Sequence, residues 1–351
     1  MFRPTRTRTR TRAALAVFAA SAASAASAAL GLVTGCSSSP EPDPAAAAQE
    51  SRAADPAAGS PFWIDPQSPA ARQARAWERQ GRGNDAKLLK RIADRPAALW
   101  PAGDHPEARI GAVAEAAARD GRTPVFVAYD IPHRDCGQHS AGGAHDASAY
   151  RDWIDRFAKA LGDSPALVVL EPDAVAHMVD GCTPGEYHAQ RERLLSEAIV
   201  RLKRQPNTKV YLDAGNPDWI AEPHKLVEPL GRAGIANADG FALNVSNFQT
   251  DGITKEYGRR LSEALGGKHF VVDTSRNGNG PLRGDRAQAW CNPPGRALGT
   301  PPTTDTGDPV VDAYLWIKRP GESDGQCRGG PAAGQWWADY ALGLARNSKP
   351  R

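Results

Sequence analysis

The chain has 351 residues, 43 of them Lys or Arg and 40 Asp or Glu, for a formal charge of +3. Five of the arginines (Arg3, Arg6, Arg8, Arg10 and Arg12) fall in the first 35 residues, which hold no acid; subtracting them leaves 38 basic against 40 acidic residues, a balance of −2. So even a balance removes the argument for nucleic acid or an anionic membrane surface as a partner of the folded part.

The N-terminus reads as an export signal: basic "MFRPTRTRTRTR", then small and apolar "AALAVFAASAASAASAALGLV", then "VTGC". "VTGC" resembles a bacterial lipobox, in which Cys36 becomes the lipidated first residue. Cleavage among the alanines would instead leave Cys36 as an odd thiol in an exported chain, without a purpose. The expected product is extracellular and tethered to the cell surface through Cys36, or otherwise secreted. Residues 37 to 60 form a Pro/Ala/Ser-rich stretch unable to bury a core. The expected organisation is therefore a signal over 1–35, a tether over 36–60 and one folded domain over 61–351.

Four further cysteines follow, Cys136, Cys182, Cys291 and Cys327, with no C-x-x-C spacing. In an exported chain disulfides are expected before a metal site. Three pairings are open; Cys136–Cys182 with Cys291–Cys327 closes the shorter loops.

Candidate strands are "PAALW" near 97, then 125–130, 167–173, 209–215, 241–247, 269–275 and 313–318. Amphipathic stretches such as "YRDWIDRFAKAL" and "EYHAQRERLLSEAIVRL" lie between most of them, which implies a parallel α/β sheet. Continuous apolar strands imply helices on both faces. Seven units without a dinucleotide glycine fingerprint suggest a closed α/β barrel. The strands end in polar groups: Asp130 and Asp135; Glu171 and Asp173; Asp213; Asn244 and Asn247; Asp273 and Arg276; Lys318 and Glu322. In parallel α/β folds the strand C-termini share one face, where sites are built. Capping of the following helices accounts for one or two such acids, not for all.

No G-x-S-x-G nucleophile motif occurs. Ligation by His133 and Asp135 is conceivable, but without zinc-type two-His spacing no metal and no cofactor are expected. Carboxylates with Tyr, Arg, Lys and nine tryptophans are the inventory of a sugar cleft, because carboxylate pairs cleave glycosides and indole faces stack on sugar rings. Trp153, Trp336 and Trp337 read as helix packing; Trp63, Trp100, Trp219, Trp290 and Trp316 fall in loops or at strand ends.

The segments "VFVAYDIPHRDCGQHSAGGA", "VVLEPDAVA", "YLDAGNPDW", "NVSNF", "VVDTSRNGNGP", "WCNPPGRALG" and "AYLWIKRPGESDGQC" together resemble glycoside hydrolase family 6, the inverting cellulases, in order over residues 61 to 347. The resemblance implies a single catalytic domain, a distorted seven-stranded parallel α/β barrel (TIM-barrel-like), acting on β-1,4-glucan with inversion; a monomer is expected. It implies Asp173 as general acid, and Asp135 as the second carboxylate, which keeps Asp173 protonated and helps order the water. Tyr129 falls beneath the distorted sugar, and Asp324 is the proposed base. Glu171 is implied to be structural, paired with a buried base. Trp63, Trp219, Asn247, Trp290, Lys318 and Glu322 match sugar-binding positions. One departure stands out: Asn216 follows "DAG" where the family usually shows His. Short connections at 173–209 and 293–312 argue for an open cleft and internal cutting, against an exo-acting cellobiohydrolase. Retention of Asp173, Asp135 and Asp324 argues against a glycan-binding protein on a dead enzyme fold.

Overall fold

In a computed structural model of the chain, residues 60–284 and 288–349 are described. The expected signal, Cys36 and the tether up to residue 59 lie outside them.

Six strands carry the fold: β1 (Val125–Ala128), β2 (Ala166–Leu170), β3 (Thr208–Asp213), β4 (Gly240–Leu243), β5 (His269–Asp273) and β6 (Val311–Leu315). They pair in chain order and all in parallel. β1, β2 and β4 are buried at every position, as expected of strands covered on both faces. Alternation along each strand divides two clusters. Phe126, Val168, Leu212, Phe241 and Phe270 face outward and join one cluster with residues of the helices. Val127, Val169, Tyr211, Ala242, Val271 and Leu315 form the other. Because the first and last strands contribute to that same inner cluster, the sheet is curled into a half-barrel.

The seventh strand expected near residue 97 does not form. Pro96 and Pro101 confine the stretch to four residues and remove an amide at each end. What remains is one bridge, Leu99 to Phe126, with Leu99 N donating to Val125 O and Ala98 N to Trp316 O.

Nine α-helices complete the described residues: α1 (Pro69–Arg79), α2 (Gly83–Ala93), α3 (Glu107–Arg119), α4 (Ala147–Leu161), α5 (Ala176–Val179), α6 (His188–Leu202), α7 (His224–Arg232), α8 (Asp251–Ala264) and α9 (Ala338–Asn347). α4 starts where the Asp146 carboxylate accepts from Ala149 N at 2.9 Å, a side-chain cap. Its Tyr150, Trp153, Ile154 and Phe157 recur at helical spacing and are all buried. Gly258 lets α8 lie close to β5, since a Cβ there would meet the Phe270 ring at 2.4 Å. α1, α2 and α9 form a separate cluster around Trp77, Leu89, Trp316 and Leu344.

Both expected disulfides are present, Cys136–Cys182 and Cys291–Cys327. The second closes a separation of 36 residues, worth about 4 kcal/mol in the chain-entropy view. Replacing Cys291 and Cys327 together by Ser should therefore lower the unfolding free energy by about 4 kcal/mol, read as a shift of the guanidinium midpoint. A change under about 1 kcal/mol would contradict that account.

Candidate active site

Every expected catalytic residue lies beyond the C-terminal end of a strand. After β1 come Tyr129 and Asp130, then a tight turn carrying Asp135. The Asp135 carboxylate accepts from Ser140 N at 2.6 Å, and the neighbouring Cys136–Cys182 bond ties this turn to the segment after β2. Tyr129 packs edge-on against Trp100, with ring centroids 5.5 Å apart, and the Arg134 guanidinium lies over its ring. Burial pushes the Tyr129 hydroxyl well up, and the charges of Asp173 and Asp135 push it further, so it remains a neutral donor.

β2 ends directly in Glu171, which is fully buried. Its carboxylate accepts from Asp130 N at 2.9 Å and Ile131 N at 3.0 Å. The expected buried base does not bond it. Arg191 of α6 acts on it only electrostatically; the guanidinium itself donates to Pro132 O, His133 O, Ala174 O and Thr183 Oγ1. Burial raises Glu171 to about 7 despite the two amides.

Asp173 is partly open to solvent, and its backbone amide donates to Asp213 Oδ2 at 2.8 Å. Its side chain receives no hydrogen bond among the described residues. Burial, then the charges of Asp213 and Asp135, hold its carboxyl well above the usual range. Asp213, at the end of β3, is fully buried and raised for the same first reason. Oxygens of Asp173 and Asp135 and a ring nitrogen of His177 lie within 4.8 Å of one another. Two carboxyl groups that close favour retention of a proton by one of them.

The far side is anchored differently. Asp273, ending β5, accepts from Ser246 N, Ser275 N, Ile317 N and Lys318 N. Asp324 is buried, and its Oδ2 accepts from Arg276 Nη1 at 2.8 Å and Asn292 N at 3.0 Å. Lys318 Nζ lies 3.3 Å from its other oxygen. Burial opposes ionisation, but the two cations outweigh it and leave Asp324 below the usual carboxylate range. Asn292 Nδ2 donates to Gly325 O and Cys327 O and so pins the loop that carries Asp324. That loop meets the turn after β1: a Cβ on Gly325 would touch the His139 ring, which lies 5.7 Å from that of Trp290.

The sequence profile of the glycosyl hydrolases family 6 matches residues 57–348. The chain belongs to glycosyl hydrolases family 6. Endoglucanase A of Cellulomonas fimi is 43% identical over 294 residues, 83% of this chain but 62% of that protein; the chain thus spans under two thirds of it. Endoglucanase 1 of Streptomyces halstedii is 44% identical over 307 residues, 84% of this chain and 92% of that protein. Among solved structures, the endoglucanase Cel6 from Mycobacterium tuberculosis, in complex with methyl-cellobiosyl-4-deoxy-4-thio-β-D-cellobioside, superposes with a TM-score of 0.76 at 43% identity. That match covers 84% of this chain and 99% of the other.

Within this family 6 domain the structure sorts the tryptophans. Trp63 is not at the site: it is 9% exposed, belongs to the outer core and donates from Nε1 to Asp120. Phe62 and Trp63 run beside Thr123 at the start of β1, away from the strand ends. Trp316 is core as well. Trp219 does lie near the acids, its Nε1 donating to Asp180 Oδ2 at 2.7 Å and its ring edge-on to His177. Trp290 is exposed. Trp100, to which the sequence assigned no sugar-binding role, is the tryptophan that packs beside Tyr129. Asn216 caps the turn before Trp219, accepting from Asp218 N and Trp219 N. Asn247 is half-buried in the turn after β4 and accepts from Phe248 N. Lys318 Nζ donates to Ser323 O, and Glu322 is buried against Arg319 at 2.7 Å. Neither His177 nor Arg191 was assigned a role from the sequence; the signal for His177 is its position four residues after Asp173, with His177 N donating to Asp173 O.

The raised carboxyls make stability depend on pH. Folded Glu171 keeps its proton up to about 7, against an ordinary value of 4.5. Between those values the unfolded chain binds fewer protons than the folded one, so stability falls as pH rises. Asp173 and Asp213 shift in the same direction. Asp324 works oppositely, its contribution being lost only in more acidic solution as pH falls through its lowered value. Urea unfolding should thus show greater stability at about pH 5 than at about pH 7.5; the reverse order would contradict the assigned burial.

Proposed function

We propose that the chain is an endo-β-1,4-glucanase hydrolysing cellulose or a related β-1,4-glucan with inversion, and that Asp173 is its proton donor. The observation that carries this reading is the Asp173 carboxyl itself: partly open, free of hydrogen-bonded partners among the described residues, and within 4.8 Å of Asp135. Such a group is protonated when a general acid must be, near neutrality.

In this reading Asp173 transfers its proton to the glycosidic oxygen as the bond from that oxygen to the anomeric carbon breaks. A water attacks the carbon from the opposite face, forming the new C–O bond and inverting the configuration. Asp135 keeps the proton on Asp173 and orients the water; Oδ2 is engaged by Ser140 N while Oδ1 accepts no hydrogen bond from the described residues. The close approach of Asp135 to Asp173 suits a like-charge neighbour, since an acid and base flanking a water stand roughly 6.5–9.5 Å apart. Asp324 is the base in the inherited scheme. Its bonds to Arg276 and Asn292, with Lys318 beside it, make it a weak proton acceptor, and its contribution is then to fix the loop and the local field. Tyr129, Trp100, Trp219 and Trp290 would bear on sugar rings, and Asn247, Lys318 and Glu322 on hydroxyls.

Internal cutting is supported by the short connections around the site and by the endoglucanase names of the bacterial relatives. The contact of His139 with Gly325 and Trp290 favours a second reading, a covered cleft and release of cellobiose from chain ends. A carboxymethyl-cellulose solution should lose viscosity well before reducing ends accumulate; cellobiose release without a fall in viscosity selects the second reading. We also propose that the protein is exported, monomeric and held at the cell surface through a lipidated Cys36. A Cys36→Ala variant should then appear in the medium, and retention equal to the unaltered protein would sink the anchor.

Asp173→Asn should lower turnover of cello-oligosaccharides by at least about 100-fold. An aryl cellobioside with an acidic phenol needs no proton on its leaving group and should suffer far less. Equal losses on both substrates, with binding intact, would remove Asp173 as the donor.

A further inference from the structure

His177 has no part in the reaction as drawn, and its surroundings are unusual. It sits on α5, one turn beyond Asp173, with 7% of its surface exposed. Neither ring nitrogen has a hydrogen-bond partner among the described residues. A buried imidazole without a partner forfeits the free energy of its desolvated donor and acceptor. Nε2 is aimed at Asp135, 3.9 Å from Oδ1, and Nδ1 lies 3.7 Å from Asp180 Oδ2. Both gaps exceed hydrogen-bond length. An oxygen of Asp135, an oxygen of Asp173 and a nitrogen of His177 all fall within 4.8 Å of one another.

We propose that Asp135, Asp173 and His177 form a binding site for a divalent transition ion of the zinc class, and that the ion switches the enzyme off. One imidazole with two carboxylates is a zinc donor set with a fourth position left for water. The imidazole selects against magnesium and calcium, which take oxygen ligands. Zinc bonds of about 2.0–2.2 Å place ligand atoms roughly 3.4 Å apart in a tetrahedron, so closure needs about 1 Å of side-chain movement. Asp180 completes the arrangement from outside. It faces Nδ1 and is itself fixed by Trp219 Nε1 at 2.7 Å, the carboxylate–imidazole relay that orients a metal-binding histidine. The ion also offsets the repulsion between the two acids. The loss of activity rests on Asp173 as the proton donor, because an ion on its oxygen takes the place of the transferable proton; the binding itself does not rest on that reading.

The test uses oxidised, chelator-stripped protein titrated with Zn2+ alone in a calorimeter, beside turnover of carboxymethyl-cellulose. One site should saturate, activity should fall with the same midpoint, and EDTA should restore it. Excess Mg2+ should neither bind there nor compete. His177→Leu and Asp135→Asn should each weaken Zn2+ by at least about tenfold, and Asp180→Asn, which removes no ligand, by about tenfold. If His177→Leu does not fold, Asp135→Asn decides, since that side chain is partly exposed and Asn can still accept from Ser140 N. Absence of binding, or equal binding by the unaltered protein and both ligand variants, overturns the site. Saturable binding that the variants abolish but that leaves turnover unchanged upholds the site and counts against Asp173 as the donor.

Discussion

The structure depends on carboxylates that end one strand and accept backbone amides from the loop of a neighbour. Glu171, closing β2, holds Asp130 and Ile131 of the loop after β1. Asp213, closing β3, holds Asp173 of the loop after β2. Asp273, closing β5, holds Ser246 after β4 and Lys318 after β6. All three are fully buried. A carboxylate in such a place is expensive unless amides or cations surround it, and here each acid is placed where loop amides would otherwise lack partners. The links run sideways in two sets, β1 to β3 and β4 to β6, and Asn244 N, donating to Gly215 O, joins one set to the other.

That rigidity is needed because the loops are strained. Among the described residues, nine that are not glycine have positive φ, and they include His133, Asp135, Cys136, Glu171, Asp173, Asn244 and Ser246. Conformations of this kind persist only where the surroundings over-determine them, at roughly 1–3 kcal/mol each. The surroundings can be named. Arg191 donates to carbonyls of Pro132, His133 and Ala174, the Cys136–Cys182 bond joins the same two loops, and Asn244 binds Gln249 and Asp273. Strain in the chain that presents Asp135 and Asp173 is thus opposed by bonds outside the chemistry.

Some of this was legible in the sequence. Continuous apolar strands separated by amphipathic helices carry the parallel fold class, and six of the seven expected strands formed. The seventh failed because its two prolines matter more than the apolar residues between them. Strand-end acids pointed to the right face, but their partners are amides of adjacent strands, not helix N-termini, and no spacing rule reveals lateral contacts. Trp63 is expected on the sugar from the resemblance alone; its indole N–H instead donates to Asp120 inside the fold, and Trp100 is the tryptophan beside Tyr129. His177 and Arg191 are ordinary helical residues until the fold brings three loops around them.

The same constraint links architecture to reactivity. Asp213 fixes the Asp173 backbone at φ 71 by accepting its amide, and its charge also raises the proton affinity of the Asp173 side chain. Position and acidity are therefore coupled through one residue: loosening the anchor would move the acid and make it easier to ionise. Asp324 is the counterpart, pinned by cations instead of carboxylates and so held ionised. A partly open acid and a buried one on the same rim are driven to opposite protonation states, Asp173 by desolvation and the carboxylates beside it, Asp324 by Arg276 and Lys318. In the reaction proposed above, that asymmetry leaves one group with a proton to give while another stays ionised.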